Sequence, residues 1–187
     1  MDHYVDIEVR SDPEFPVNQL MSALYSKLHR ALVAQGCARI GVSLPCMNVG
    51  VPQLGTCLRL HGELAVLSTL MASDWLTGMR DHVVIAQPVR VPDNAQYRIV
   101  RRVQVKSSPE RLRRRQMRRH NLNEQEALER LPDESAHFTN LPFVQLRSAS
   151  TGQSFRLFID HGQVQSEAVA GEFSAYGLSQ GATIPWF

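Results

Sequence analysis

No apolar run in this chain approaches the roughly 20 residues that a membrane span needs. The N-terminal MDHYVDIEVR alternates charge with apolar side chains, which excludes the hydrophobic block of a signal peptide. A cytoplasmic protein with no membrane partner is the expectation. Cysteine is scarce: Cys37, Cys46 and Cys57 are odd in number and show neither CxxC nor Cys/His ligand spacing. They read as reduced thiols, against a disulfide framework or a zinc site. The seven histidines contain no HxxxH pair. GxSxG, Walker and HExxH patterns and internal repeats are missing as well. Neither a metal nor an organic cofactor is expected. With 187 residues and 43% hydrophobic content, the chain has material for one large or two small cores.

Acid is missing where it matters most. Ten of the twenty Lys and Arg residues lie within 98–119 against Glu110 alone, a net +9, while the other 165 residues carry −7 and the whole chain only +2. Such separation of charge points to a polyanionic partner, DNA or RNA. Ser107 or Ser108 can cap a helix here, Pro109 suits its first turn, and Glu110 complements its dipole. At helical spacing Arg111, Arg114, Arg115, Arg118 and Arg119 share one face, the i, i+3, i+4, i+7, i+8 pattern normally filled by an apolar core stripe. An ordinary solvated or salt-bridged face would mix signs, yet after Glu110, four residues before Arg114, no acid appears until Glu124. Arginine over lysine also suits fork-shaped recognition of phosphates or guanine edges. No heptad follows, so this is not a basic leucine zipper.

Periodicity orders the first half. Val5, Ile7 and Val9 alternate with Asp6, Glu8 and Arg10 as a half-buried strand, and Val17–Gln35 is helical between Pro16 and Gly36. Strands follow at Ile40, Val42, Leu44 and at 57–61, then a helix at 63–71 with a further turn near Trp75, then a strand at 82–91 with Pro88 at an edge or bulge. The order β-α-β-β-α-β predicts a ferredoxin-like domain over 1–94 and an α+β fold. Residues 95–187 read as a β-rich domain: a strand at 97–105, the arginine helix at about 108–120 as an insertion, a short helix at 123–131, strands at 143–147, 154–159, 163–166 and 172–176, and a Gly-rich tail.

His29 sits about 180° from Leu20 on the first helix, outside the apolar arc of Leu20, Met21, Leu24, Tyr25, Leu28, Ala31 and Leu32 at roughly 0–140°. A core histidine would fall inside that arc. Ser148 and Ser150 end a strand and open a turn, and Tyr176 precedes Gly177; by themselves these suit turn formation and packing. Taken together, however, RRVQVKSSPERLRRRQMRRHNL, LPFVQLRSASTGQSFRLFIDHG and YGLSQGATIPWF, with KLHRALVAQG upstream, closely resemble one family across essentially the whole chain. It is the CRISPR-associated endoribonuclease of subtype I-F, which cuts the repeat hairpin of precursor guide RNA.

The resemblance implies that His29 acts on the ribose 2′-hydroxyl, that Ser148 holds that ribose with Ser150 lining the site, and that Tyr176 orients the histidine or the bound strand. It implies that Arg102 and Gln104 read purine edges at the stem base and that Phe155 stacks on the terminal pair. Arg115 would contact bases, and Arg114, Arg118 and Arg119 phosphates. The implied partners are the repeat RNA hairpin (crRNA) and other subunits of the interference complex. The chemistry agrees: RNA carries its own nucleophile, and an imidazole, ordinarily near pKa 6.5, can accept its proton near pH 7 without a metal. A short hairpin opens the otherwise closed A-form major groove at its loop end, where one arginine helix can enter. The rival readings are a non-catalytic RNA-hairpin-binding subunit and a DNA-binding regulator.

Overall fold

The computed structural model describes residues 1–48, 53–104, 109–130, 141–148 and 151–187, with backbone alone for 109–112. Strand β1 (His3–Val9) buries Val5, Ile7 and Val9, as its alternation requires. Helix α1 (Val17–Gln35) buries the seven residues of the apolar arc and leaves His29 half-buried beside it. Gly36 ends it in the left-handed conformation at φ 58°. Strands β2 (Gly41–Ser43) and β3 (Cys57–Gly62) follow, then α2 (Leu64–Ala72) and a 3₁₀ turn at Asp74–Leu76. The 82–91 segment is two strands, β4 (Val83–Ile85) and β5 (Val89–Arg90), both antiparallel to β1. Residues 86–88 face only Val5 and Asp6, so one of the three is surplus to the ladder, beside Pro88, which has no N–H to donate. The order β2-β3-β1-β4, every neighbour antiparallel, is that of a ferredoxin-like domain.

A second antiparallel sheet has the order β7-β8-β6-β9, from β6 (Gln96–Val103), β7 (Phe143–Arg147), β8 (Ser154–Gln165) and β9 (Thr183–Trp186). This half departs from the sequence expectation in three places. The strands expected at 154–159 and 163–166 are one, because Asp160–Gly162 stays extended and its surplus residue is absorbed as a bulge between Arg98 and Val100. Residues 172–176 form no strand, since their backbone bonds to other elements: Phe173 N–H donates to the Ala38 carbonyl (2.9 Å) and Ser174 N–H to that of Leu178 (2.9 Å). The Gly-rich tail instead supplies β9, paired with β6 from Gln96↔Trp186 to Ile99↔Thr183.

Met1–Val103 and Leu141–Phe187 form one compact unit, and Gln104–Asn140, inserted between β6 and β7, forms another. The inserted unit holds α3 (Pro109–His120) and α4 (Glu124–Arg130). Asn121 ends α3 at φ 50°. A reciprocal capping box starts α4: Asn123 Oδ1 accepts from Glu126 N–H (2.8 Å), and Glu126 Oε2 from Asn123 N–H (2.9 Å). The expected caps Ser107 and Ser108 lie outside the described residues.

Two imidazoles sit where the sheets of the first unit meet. Fully buried His61 lies 2.8 Å from Ser43 Oγ through Nε2, and the Leu44 N–H donates to His161 Nε2 at 3.4 Å. Burial pushes His61 down to about 3 and His161, which also feels the Arg98 charge, down to about 4. Both stay neutral in the folded protein at pH values where the unfolded chain, near 6.5, takes up protons. Stability is therefore full above 6.5 and declines as pH falls from 6.5 toward about 4, by about 1.4 kcal/mol per unit for each ring. Urea melts at pH 7 and pH 5 should show the loss, and His161→Gln should shrink it; an unchanged pH dependence would refute this origin.

Candidate active site

Tyr25 and His29 are one turn apart on α1 and reach two successive carbonyls of the loop before β9. His29 Nδ1 lies 2.8 Å from the Ala175 oxygen, and the Tyr25 hydroxyl donates to the Tyr176 oxygen at 2.7 Å. A carbonyl only accepts, so Nδ1 carries hydrogen and the neutral ring keeps its lone pair on Nε2. Burial raises the Tyr25 phenol far above its ordinary value, so it remains a donor. The Tyr176 ring stacks on His29 at 4.1 Å between centroids and 10° between planes, which fixes the imidazole from its face.

The loop is held from both ends of its turn. Gly177 N–H donates to Ser174 (2.8 Å), and the Gly177 carbonyl accepts from Val42 N–H of β2 (2.8 Å). Gly177 has φ +69°, and a Cβ there would lie inside the van der Waals surface of the Val42 side chain. Only glycine meets both demands. Farther on, Ser179 N–H donates to the Val100 carbonyl (3.0 Å) and Gln180 Nε2 to that of Arg102 (3.0 Å), tying the loop to β6.

Opposite α1, the turn from β7 to β8 presents Ser148. Its N–H donates to the Gln153 carbonyl (2.9 Å), its carbonyl accepts from Gly152 N–H (2.9 Å), and its Oγ accepts from Thr151 N–H at 3.3 Å. His29, Ser148, Phe155 and Tyr176 line one cleft of about 820 Å³, together with Arg30 and Arg147. Arg102 reaches its edge, with Cζ 5.9 Å from the centroids of both Phe155 and Tyr176. An imidazole with an exposed-side acceptor, a hydroxyl, an aromatic platform and arginines in one open cleft can bind a phosphodiester and remove a nearby proton. Among the described residues no three His, Cys, Asp or Glu side chains gather as metal ligands would.

The structure thus brings together His29, Ser148, Tyr176, Phe155 and Arg102. Ser150 and the Arg111 side chain lie outside the described residues. Gln104 is exposed at the start of the inserted unit, and Arg114, Arg115, Arg118 and Arg119 are exposed on α3. Sequence reasoning missed two contributors. Tyr25 looked like plain core because its partner is a backbone carbonyl 151 residues away. Arg147 adjoins Ser148 in RSAS, where a single arginine at a strand end carries no signal of its own.

The sequence profile described as "CRISPR-associated protein (Cas_Csy4)" matches residues 4–187. The "CRISPR-associated endonuclease Cas6/Csy4" of Pseudomonas aeruginosa (strain UCBPP-PA14) is 57% identical over 187 residues, covering all of both chains. The protein of the same name from Escherichia coli (strain UTI89 / UPEC) is 49% identical, again over the full length of both. The chain therefore belongs to the Cas_Csy4 family of CRISPR-associated proteins.

Proposed function

We propose that this protein is a metal-independent endoribonuclease that cuts precursor crRNA at the 3′ base of the CRISPR repeat hairpin and stays bound to the product. The name shared by its two relatives, a CRISPR-associated endonuclease, supports the nuclease part of this reading. The observation that carries the mechanism is the His29 Nδ1 bond to the Ala175 carbonyl, which leaves Nε2 as the acceptor in the cleft. Nε2 takes the proton of the ribose 2′-hydroxyl, Ser148 holds that ribose with Ser150 beside it, and Tyr176 keeps the imidazole plane fixed. The 2′-oxygen attacks the adjacent phosphorus, giving a 2′,3′-cyclic phosphate and a 5′-hydroxyl.

Recognition in this reading is divided along the chain. Residues 1–94 supply the base and 95–187 grip the RNA. Arg102 and Gln104 read the stem base and Phe155 caps it, while Arg115 reads bases and Arg111, Arg114, Arg118 and Arg119 hold phosphates. The exposure of Arg115, Arg118 and Arg119 on α3 supports the last assignment, because guanidinium groups gathered at a surface attract a phosphate chain. Further subunits of an interference complex would bind the same ribonucleoprotein, in the cytoplasm.

His29→Ala should slow single-turnover cleavage about 10²–10⁴-fold while hairpin affinity holds; undiminished cleavage would reject the assigned base and leave a binding subunit. A 2′-deoxyribose at the cut site should bind yet resist cutting, and continued cutting would show that water or a side chain attacks. Activity should persist in EDTA. Its abolition by the chelator would restore a metal mechanism.

A further inference from the structure

Attack by the 2′-oxygen leaves two charges to be managed. His29 takes the proton on the entering side, but the 5′-oxygen departs as an alkoxide, and none of the residues named above is assigned to it. The cleft holds two permanently charged side chains and no carboxylate among its lining residues: Arg30 and Arg147. They differ in how they are held. Arg30 is exposed on α1 and, among the described residues, has no hydrogen bond or ion pair to fix it. Arg147 donates Nε–H to the Gly152 carbonyl at 2.8 Å. Gly152 also donates its N–H to the Ser148 carbonyl, so one residue secures both the cation and the hydroxyl-bearing turn.

Alternation along β7 explains the direction. Val144 and Leu146 point into the core, so Gln145 and Arg147 face outward. With Nε engaged, the guanidinium is fixed in direction and its outer N–H groups remain as a fork for phosphate oxygens. A donor fixed before the reaction costs no reorganisation as charge develops, which is the condition for electrostatic catalysis.

We propose that Arg147 is a further catalytic residue, the group that stabilises the leaving 5′-oxygen of the scissile phosphodiester. This rests on reading the His29 cleft as the site of cleavage. The 2′-O–H proton passes to His29 Nε2 as the 2′-O–P bond forms. The P–O5′ bond breaks, and its electron pair stays on the 5′-oxygen against the Arg147 guanidinium. That oxygen takes a proton from water, and the resulting hydroxide removes the proton held by His29, which resets the enzyme.

The test compares Arg147→Gln and Arg147→Lys with the native protein in single-turnover cleavage of a repeat hairpin. A second substrate has sulfur in place of the bridging 5′-oxygen at the cut, a leaving group that needs no stabilisation. Arg147→Gln should cut the ordinary RNA about 10²-fold more slowly and lose most of that defect on the sulfur substrate. Arg147→Lys should fall between, and all three proteins should bind the uncleavable 2′-deoxy hairpin alike, which also reports folding. His29→Ala should remain slow on both substrates. Equal loss on both substrates by Arg147→Gln, no loss at all, or a loss confined to binding would overturn the assignment while native cleavage leaves the wider reading intact. Native protein that leaves the hairpin uncut would overturn both.

Discussion

Two hydrogen bonds from neighbouring turns of α1 to adjacent carbonyls, His29 to Ala175 and Tyr25 to Tyr176, hold together parts of the chain nearly 150 residues apart. The first sets the tautomer of the imidazole, and the second, made by a fully buried phenol, fixes the peptide next to it. The Tyr176 ring then has one place to lie, flat on His29. None of this holds unless the loop crosses α1 at the right height. Gly177 sets that height, through a left-handed φ in contact with Val42. The irregular backbone at 172–176 fits these bonds: a strand there would spend the carbonyls on a ladder and leave His29 without an acceptor.

Charge obeys a different constraint. The inserted unit carries its arginines where a buried helix would carry leucines, so α3 gains little from them as a packing element. Local chemistry helps define its ends: Asn121 stops α3, and the Asn123–Glu126 capping box starts α4. The chain leaves the first unit at the end of β6, which carries Arg102, and re-enters it at β7, which ends just before Ser148. Two arginines of the first unit are used differently. Arg59 makes a bidentate pair with Asp6 and lies against the touching rings of Tyr4 and Phe187, and Arg98 lies over Trp186 at 4.5 Å. Those are structural cations with partners inside the fold.

Much of the first half was legible because each element is amphipathic and bounded by a local signal. Helix α1 begins after Pro16 and ends at Gly36, and its seven buried residues are the arc that periodicity picks out. Pro88 announced the interruption between β4 and β5, since a residue without an N–H cannot continue the ladder. The arginine helix was visible for the same reason. The later strands were harder. In 154–166 the polar run Asp160–Gly162 resembles a turn, yet β8 continues through it because β6 supplies a partner on one side. Strand β9, TIPW in a Gly-rich context, has a proline at its centre and little alternation; pairing with β6 makes it a strand.

By itself the sequence determined what each segment prefers: which faces are apolar, where helices start and stop, and where unbalanced positive charge must seek an anion. Those are short-range properties, set by side-chain spacing and local backbone chemistry. Tertiary structure alone decided which nitrogen of His29 is left to accept a proton, that Tyr25 is a clamp as well as core, and that Arg147 shares a cleft with the imidazole. Each depends on a backbone carbonyl, a group every residue carries. Such an acceptor leaves no mark in the sequence, and only the path of the folded chain says which one stands within 3 Å of a given side chain.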